Sequence, residues 1–289
     1  MLSHPLLVEA IESEFVPCCI YNNKKGKDAE VLERYQELAW NNPVVRFVDA
    51  AGKDVIARKD RVWSLGGIAS RMTMALEASR KKKKKEKRQN SVPLYLRLLA
   101  TGSKKQGKKK ATFAMHCFWE GEAHLGVLPG VTATRAGWLD RKEVVEVCYD
   151  EDQVSYEELV KTAKKMKCAS TVFAHDQGQL GVARKLVGKN AVLAKQPAKD
   201  AKLSDRLYHL RKSVWNAMPA TPIQRMRMNS ALAKRKDPLQ FLSPRQRGVA
   251  KLVQKADAKK LAGVEPPADA YGLAAYENKL RKLIAPKPR

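Results

Sequence analysis

Strand and helix patterns alternate along residues 110–167, and this alternation constrains the fold more than any other feature of the sequence. The apolar segment KATFAMH predicts a strand that stops at Cys117, and FWEGEAHLGVL predicts the helix that follows. EVVEVCYD predicts a second strand, and after a turn a second helix begins at Ser155. Glu158 completes a capping box with Ser155, a typical signal for a helix start. The order β-α-β-α, with short strands expected beyond it, predicts a layered α+β domain.

The N-terminal part of the chain predicts a smaller α/β domain. A strand-like segment leads to Cys18–Cys19, and a helix is expected over Ala29–Trp40. Short strands are expected at Val44–Val48 and Val55–Ile56, on either side of the turn DAAGKD. SLGGIASRMTMALEAS has apolar residues along one helical side and predicts a closing helix. The predicted order is therefore β-α-β-β-α.

Two lysine runs lie between these parts of a chain whose formal net charge is +26. Lys81–Lys85 and Lys104–Lys110 flank a short apolar segment, Val92–Ala100. Because like charges repel and stay solvated, residues 81–110 are predicted to be a lysine-rich linker. A nuclear localisation signal and non-specific nucleic-acid binding are alternative interpretations of the same runs.

Charge, apolar stretches and cysteine spacing indicate which class of protein this is. Beyond a second boundary near 194–205 the chain is basic and poor in strand patterns, which predicts a helical basic region over 201–289. No apolar stretch approaches the ~20 residues of a membrane span, and the first residues lack the pattern of a secretory signal. The five cysteines are an odd number without paired zinc spacing, which indicates reduced thiols and no metal site. We therefore expect a cytoplasmic protein.

Cys117 is the first candidate for a reactive group, because it ends a predicted strand and opens a predicted helix. Unpaired amide groups at a helix start favour a negative charge, and such settings lower a thiol pKa from ~8.5 to roughly 3.5–7.5. Phe118 and Trp119 follow directly and would form an apolar wall suited to a methyl or thioether group. The alternative is a cysteine that simply packs at a strand–helix junction.

HCFWEGEAHLGVLPGVTATRAGW, followed by KEVVEVCYDEDQVSYEELV, resembles peptide methionine sulfoxide reductase A. The pattern of that family is G-C-F-W-x-x-E, then L-P-G-V, G-Y, H-A-E-V-V-x-V-x-Y-D and I-S-Y-E-x-L. The resemblance covers about residues 111–180. It implies a shortened, ferredoxin-like α+β domain over 111–200.

The resemblance also implies roles for individual residues. Cys117 would attack the sulfoxide and become a sulfenic acid, and Phe118 and Trp119 would hold the methyl group. Glu143 would donate a proton or hydrogen bond to the sulfoxide oxygen. Asp176, in HDQGQ, matches an acid that helps orient the site; its alternative is an aspartate that bonds to loop backbone.

The chain departs from the family pattern at the positions that bind the sulfoxide oxygen. The glycine before the cysteine is His116, and Arg141–Lys142 replaces the histidine and alanine before Glu143. The segment before Glu143 is too short for one site tyrosine, and Gly181 stands at the position of the other. With both tyrosines lost, Glu143 alone would polarise the substrate at a cost in rate.

EFVPCCIYNN and NPVVRFVDAAGKDV resemble the VPGUxxT family of thioredoxin-like (seleno)proteins. Cys19 stands at the selenocysteine position, with Cys18 replacing glycine and Asn22 replacing threonine, and Pro43 matches the cis-proline of thioredoxin. This implies a thioredoxin-like module over 1–80 with Cys19 as a second catalytic thiol. The alternative is two small residues buried after a strand. The C-terminal region also resembles the tails of those proteins.

These expectations describe an α/β protein that reduces free or peptide methionine sulfoxide and takes electrons from an external thiol reductant such as thioredoxin. No other cofactor is expected. Cys19, Cys148 and Cys168 are left open as the thiol that resolves a sulfenic acid at Cys117. Two alternatives compete: a catalytically degenerate redox-sensing or peptide-binding protein, and a nucleic-acid-binding protein that uses its lysine runs.

Overall fold

The computed structural model describes residues 2–40, 44–82, 92–102, 108–166 and 169–285. The chain divides into two compact units, Met1–Ser103 and Lys104–Arg289. No helix in these ranges is both long and apolar enough to cross a membrane.

The first unit is built from helices. They are α1 (Pro5–Glu14), α2 (Lys27–Arg34), α3 (Leu65–Lys82) and α4 (Leu94–Gly102). The expected closing helix is confirmed as α3, and α2 is shorter than the helix expected at its position. Strand pairing within the described part of this unit is limited to one isolated bridge, Val48 with Asp54.

The prediction of strands in the first unit is therefore wrong, and the described residues of this unit do not form a thioredoxin-like sheet. The segment before Cys18 is largely helix α1, because His4 caps the helix and Pro5 opens it. Residues 44–48 lie in a loop whose Arg46 bonds to Glu37 at 2.6 Å and to Asp54 at 2.5 Å. Pro43, the expected cis-proline, lies outside the described residues.

The expected lysine-rich linker is not a continuous extended segment. Its apolar part forms α4, which packs on α3 and buries Tyr95, Leu96 and Leu99. Most of the two lysine runs lie outside the described residues. Their function and the boundaries of the four expected segments stay predictions.

The second unit contains one six-stranded mixed sheet. Its elements are β1 (Lys108–Met115), α5 (Phe118–Leu125), β2 (Val131–Leu139), β3 (Lys142–Asp150), α6 (Tyr156–Lys165), β4 (Ala169–Ala174), α7 (Gln177–Val187), β5 (Ala191–Leu193) and β6 (Lys199–Asp200). The strand order is β5-β4-β1-β3-β2-β6. The first four strands pair antiparallel, in the split β-α-β-β-α-β arrangement of ferredoxin-like folds.

Local signals explain these elements. Ser155 and Glu158 form the expected capping box of α6, whose Leu159, Val160 and Ala163 are buried. Strand β2 joins β3 through a two-residue turn, Asp140–Arg141, in which both residues have positive φ. This tight hairpin places the start of β3 beside the end of β1.

The C-terminal region is helical, as expected, but it belongs to the same compact unit as the sheet. Its helices are α8 (Tyr208–Arg211), α9 (Pro222–Ala233), α10 (Pro244–Lys255), α11 (Ala258–Leu261) and α12 (Leu273–Ile284). A core that includes Met218, Met228 and Val253 holds them together. Buried Arg227 of α9 donates to the carbonyls of Gly126 and Val131, next to α5. Because of this packing, α8 and α9 lie close to the candidate site.

Candidate active site

Cys117 lies between β1 and α5, where it is the N-cap residue of the helix. Its backbone is extended, with φ −144° and ψ 119°, and its side chain does not bond to the first turn. The thiol is half-buried and is not part of a disulfide. Cys117 thus ends a strand and precedes a helix, at the position that the sequence predicts.

Glu143 begins β3 at the same end of the sheet as Cys117. The pairing of Ala114 with Val144 places Glu143 next to the last residues of β1. Its Oε2 accepts a hydrogen bond from the amide of Phe118, at 2.8 Å. The half-buried carboxyl is therefore held at the first amide after the thiol.

Aromatic rings enclose this corner of the molecule. Phe118 is buried and Trp119 is half-buried, with their ring centroids 6.2 Å apart. Trp138, near the end of β2, meets Phe118 edge-on at 5.7 Å. Tyr208, at the start of α8, stacks on Trp119 at 3.8 Å with an interplanar angle of 10°.

The sequence interpretation did not identify Trp138 or Tyr208. Trp138 pairs with Glu143 across the β2–β3 hairpin, so recognising the strand pattern of VTATRAGWL would have predicted its position. Tyr208 follows Trp119 by about ninety positions, and no local pattern connects the two residues.

Glu122 connects α5 to the C-terminal region. Its side chain is buried, and its Oε2 accepts from the amide of Leu207 at 2.7 Å, while Oε1 accepts from the Thr134 hydroxyl at 3.3 Å. Burial raises the pKa of Glu122 to about 7, although these donors oppose the shift. A buried carboxyl on the helix that follows the thiol thus holds the segment that carries Tyr208.

Asp176 is not brought to the thiol. It is exposed, and it caps α7 by accepting from the amide of Gln179 at 2.8 Å. It follows β4 at the end of the sheet where β1 begins, because Thr112 pairs with Phe173 in antiparallel register. Cys117 follows the other end of β1, so at ~3.3 Å per residue the two side chains lie roughly 25 Å apart.

The other candidate cysteines are spread over the chain. Cys18 and Cys19 are exposed in coil of the first unit. Cys148 is half-buried on β3 of the second unit, and Cys168 lies outside the described residues. The identity of a resolving thiol stays open. No group of three His, Cys, Asp or Glu that could hold a metal occurs within the ranges that the structure describes.

Two known proteins match part of this chain. Peptide methionine sulfoxide reductase MsrA of Geobacter metallireducens is 41% identical over 70 residues, which are 18% of this chain and 43% of that protein. Peptide methionine sulfoxide reductase of Drosophila melanogaster is 32% identical over 100 residues, 26% of this chain and 41% of that protein. The chain thus spans about two fifths of the length of these relatives.

No protein-family model matches the chain. Among solved structures, methionine sulfoxide reductase A of Corynebacterium diphtheriae aligns with a TM-score of 0.34 and 19% identity, over 40% of this chain and 79% of that chain. The two sequence matches show that part of the chain is similar to methionine sulfoxide reductase A, at a distance. None of these three matches is to a thioredoxin-like protein.

Proposed function

We propose that the second unit reduces free or peptide-bound methionine sulfoxide at Cys117. The thiol sulfur takes the oxygen of the sulfoxide, so that the thioether leaves reduced by two electrons and Cys117 becomes a sulfenic acid. An external dithiol then reduces the sulfenic acid, releases water and is itself oxidised to a disulfide. Every electron in the cycle comes from that reductant.

The observation that carries this proposal is the bond between Glu143 Oε2 and the amide of Phe118. It holds a carboxyl beside the thiol, where in its acid form it can donate a proton to the sulfoxide oxygen. Phe118 and Trp119 form the wall for the substrate methyl group, and Trp138 extends that wall through its edge-on contact. Asp176 caps α7 at the opposite end of the sheet, so we assign it no part in orienting the substrate.

The test is thiol-dependent sulfoxide reduction by the full chain, with dithiothreitol as reductant and N-acetylmethionine sulfoxide as substrate. We expect turnover by the wild type and none by Cys117→Ser, because serine is a far weaker nucleophile. Cys18→Ser, which alters an exposed cysteine of the first unit, is the matched control and should retain full activity. Turnover that survives in Cys117→Ser would refute the proposal.

The reductant is proposed to be a thioredoxin-type dithiol, with Cys19 as a relay. Cys19→Ser should then reduce turnover with thioredoxin while leaving turnover with dithiothreitol unchanged. Equal losses with both reductants, or no loss with either, would contradict the relay. Neither outcome bears on Cys117, whose role is tested separately by Cys117→Ser.

A second candidate function is redox sensing without turnover. The observation that favours it is the two-residue turn between β2 and β3, which leaves no room for the segment that bears a site tyrosine in the family. At the position of the other site tyrosine the chain has Gly181, on α7. In this case peroxide would convert Cys117 to a sulfenic acid that dimedone labels, while sulfoxides are not consumed. Dimedone labelling of Cys117 without sulfoxide reduction would support redox sensing over catalysis.

A further inference from the structure

A cavity of about 370 Å³ lies in the second unit between the β2–β3 hairpin and the helices that follow β6. Its lining does not include Cys117, Glu143 or the two rings that follow the thiol. Four arginines, Arg135, Arg206, Arg211 and Arg225, line the cavity together with two carboxyl groups, those of Glu122 and Glu146. Its volume falls within the range of small-molecule sites, roughly 300–1,000 Å³.

Two of these arginines are paired with a common carboxylate at the rim. Arg135 bonds to Asp200 at 2.5 Å and to Glu146 at 3.1 Å. Arg206 bonds to the other oxygen of Asp200 at 2.6 Å. Glu146, which also lines the cavity, is further compensated by Lys110 at 3.1 Å. Asp200 and Glu146 are therefore already engaged by cations, whereas Glu122 accepts from the Leu207 amide and the Thr134 hydroxyl.

The charge on the opposite side is not balanced in the same way. Arg211 bonds to the exposed carboxylate of Glu265 at 2.5 Å. Arg225 donates from both terminal nitrogens to the carbonyl and the side-chain oxygen of Asn216, each at 2.8 Å. Both of these acceptors are neutral. Arg225 is nonetheless buried, with only 6% of its surface exposed.

A buried guanidinium without a carboxylate partner is costly, because its charge has lost the solvation of water. Burial, and then the nearby charge of Arg211, lowers the pKa of Arg225 to about 10. The chain thus holds two repelling cations at the wall of a cavity. An anion between them would compensate the charge of Arg225 and share Arg211 with Glu265, through the charge-assisted bonds that arginine favours.

We propose that this cavity binds a small organic anion, whose phosphate or carboxylate group bonds to Arg225 and Arg211. The organic part of the ligand would lie against Ala133 and Leu207, which give the cavity an apolar wall. This inference does not depend on the reaction proposed for Cys117. It assigns a role to arginines that the sequence interpretation treated only as part of a basic C-terminal region.

The test uses thermal unfolding of the full chain with three probes: phenyl phosphate, benzoate and phenol. We expect phenyl phosphate or benzoate to raise Tm saturably, by about 5 °C or more at a hundred times its Kd. Phenol, which lacks the anionic group, should not. The anion that binds more tightly identifies the head group that the cavity prefers.

Arg225→Met should abolish the anion-dependent shift, and Arg211→Gln should weaken binding at least tenfold. The matched control is Arg247→Gln, which removes the same charge from an exposed position on α10 and should bind like the wild type. If Arg225→Met does not unfold cooperatively, the comparison of Arg211→Gln with Arg247→Gln decides. The proposal is overturned by no anion-dependent shift, by an equal shift with phenol, or by equal binding in the cavity variants and the control.

Discussion

Replacing Glu122 by glutamine should remove a pH dependence from the stability of the second unit. Glu122 is 1% exposed, and its carboxyl accepts bonds from the amide of Leu207 and the hydroxyl of Thr134. Glutamine has the same shape and keeps an oxygen that can accept from Leu207. It does not ionise, so the variant separates the shape of the side chain from its charge.

The magnitude follows from the pKa of Glu122, which burial raises from 4.5 to about 7 in the folded chain. A folded carboxyl with a raised pKa keeps its proton longer than the unfolded one. Its stabilising contribution is fully present below pH 4.5 and is lost as the pH rises to about 7. At about 1.4 kcal/mol for each pKa unit, the whole loss amounts to about 3.5 kcal/mol, of which about 3 kcal/mol falls above pH 4.5.

The assay is urea unfolding of wild type and Glu122→Gln at several pH values from 4.5 to 8. The stability of the variant relative to wild type should increase by about 3 kcal/mol across that range. Asp152→Asn removes an exposed carboxyl from the same unit and should stay within about 0.5 kcal/mol of wild type throughout. A difference between Glu122→Gln and wild type that does not change with pH would refute this account of the buried carboxyl.

Three further substitutions test the site. Tyr208→Ala should cost about 1 kcal/mol or more of stability and shift Trp119 fluorescence to the red, because the stacked ring is lost. The control Tyr271→Ala removes an exposed ring and should change neither quantity. Equal effects of the two substitutions would contradict the stacking. Asp176→Ala should cost about 1 kcal/mol of stability through loss of the α7 cap, and Asp176→Ser should recover most of that loss. Both variants should reduce sulfoxide as fast as the wild type. Loss of turnover in Asp176→Ser would show that Asp176 acts in the site. Glu143→Gln should lower kcat by roughly 10²–10⁴-fold with an unchanged circular dichroism spectrum. If the variant instead has the kcat of the wild type, Glu143 is not the proton donor.

Local patterns predicted the second unit well and the first unit poorly. The strand that stops before Cys117, the helix after it and the capping box at Ser155 are all encoded within a few residues, and the structure confirms them. The strands expected around Val44–Val48 needed neighbouring strands to pair with. The described residues there instead bond through Arg46 to acidic side chains, so a short apolar run was not enough to form a sheet.

The sequence by itself determined the candidate thiol Cys117, its aromatic neighbours and the similarity to methionine sulfoxide reductase A, because these depend on adjacent residues. Only the tertiary structure decided which distant groups join them. Strand register brings Glu143 to the thiol and carries Asp176 to the far end of the sheet. Packing of the C-terminal helices places Tyr208 on Trp119. Such contacts arise from the pairing of strands and the burial of helix faces far apart in the chain, which no local pattern specifies.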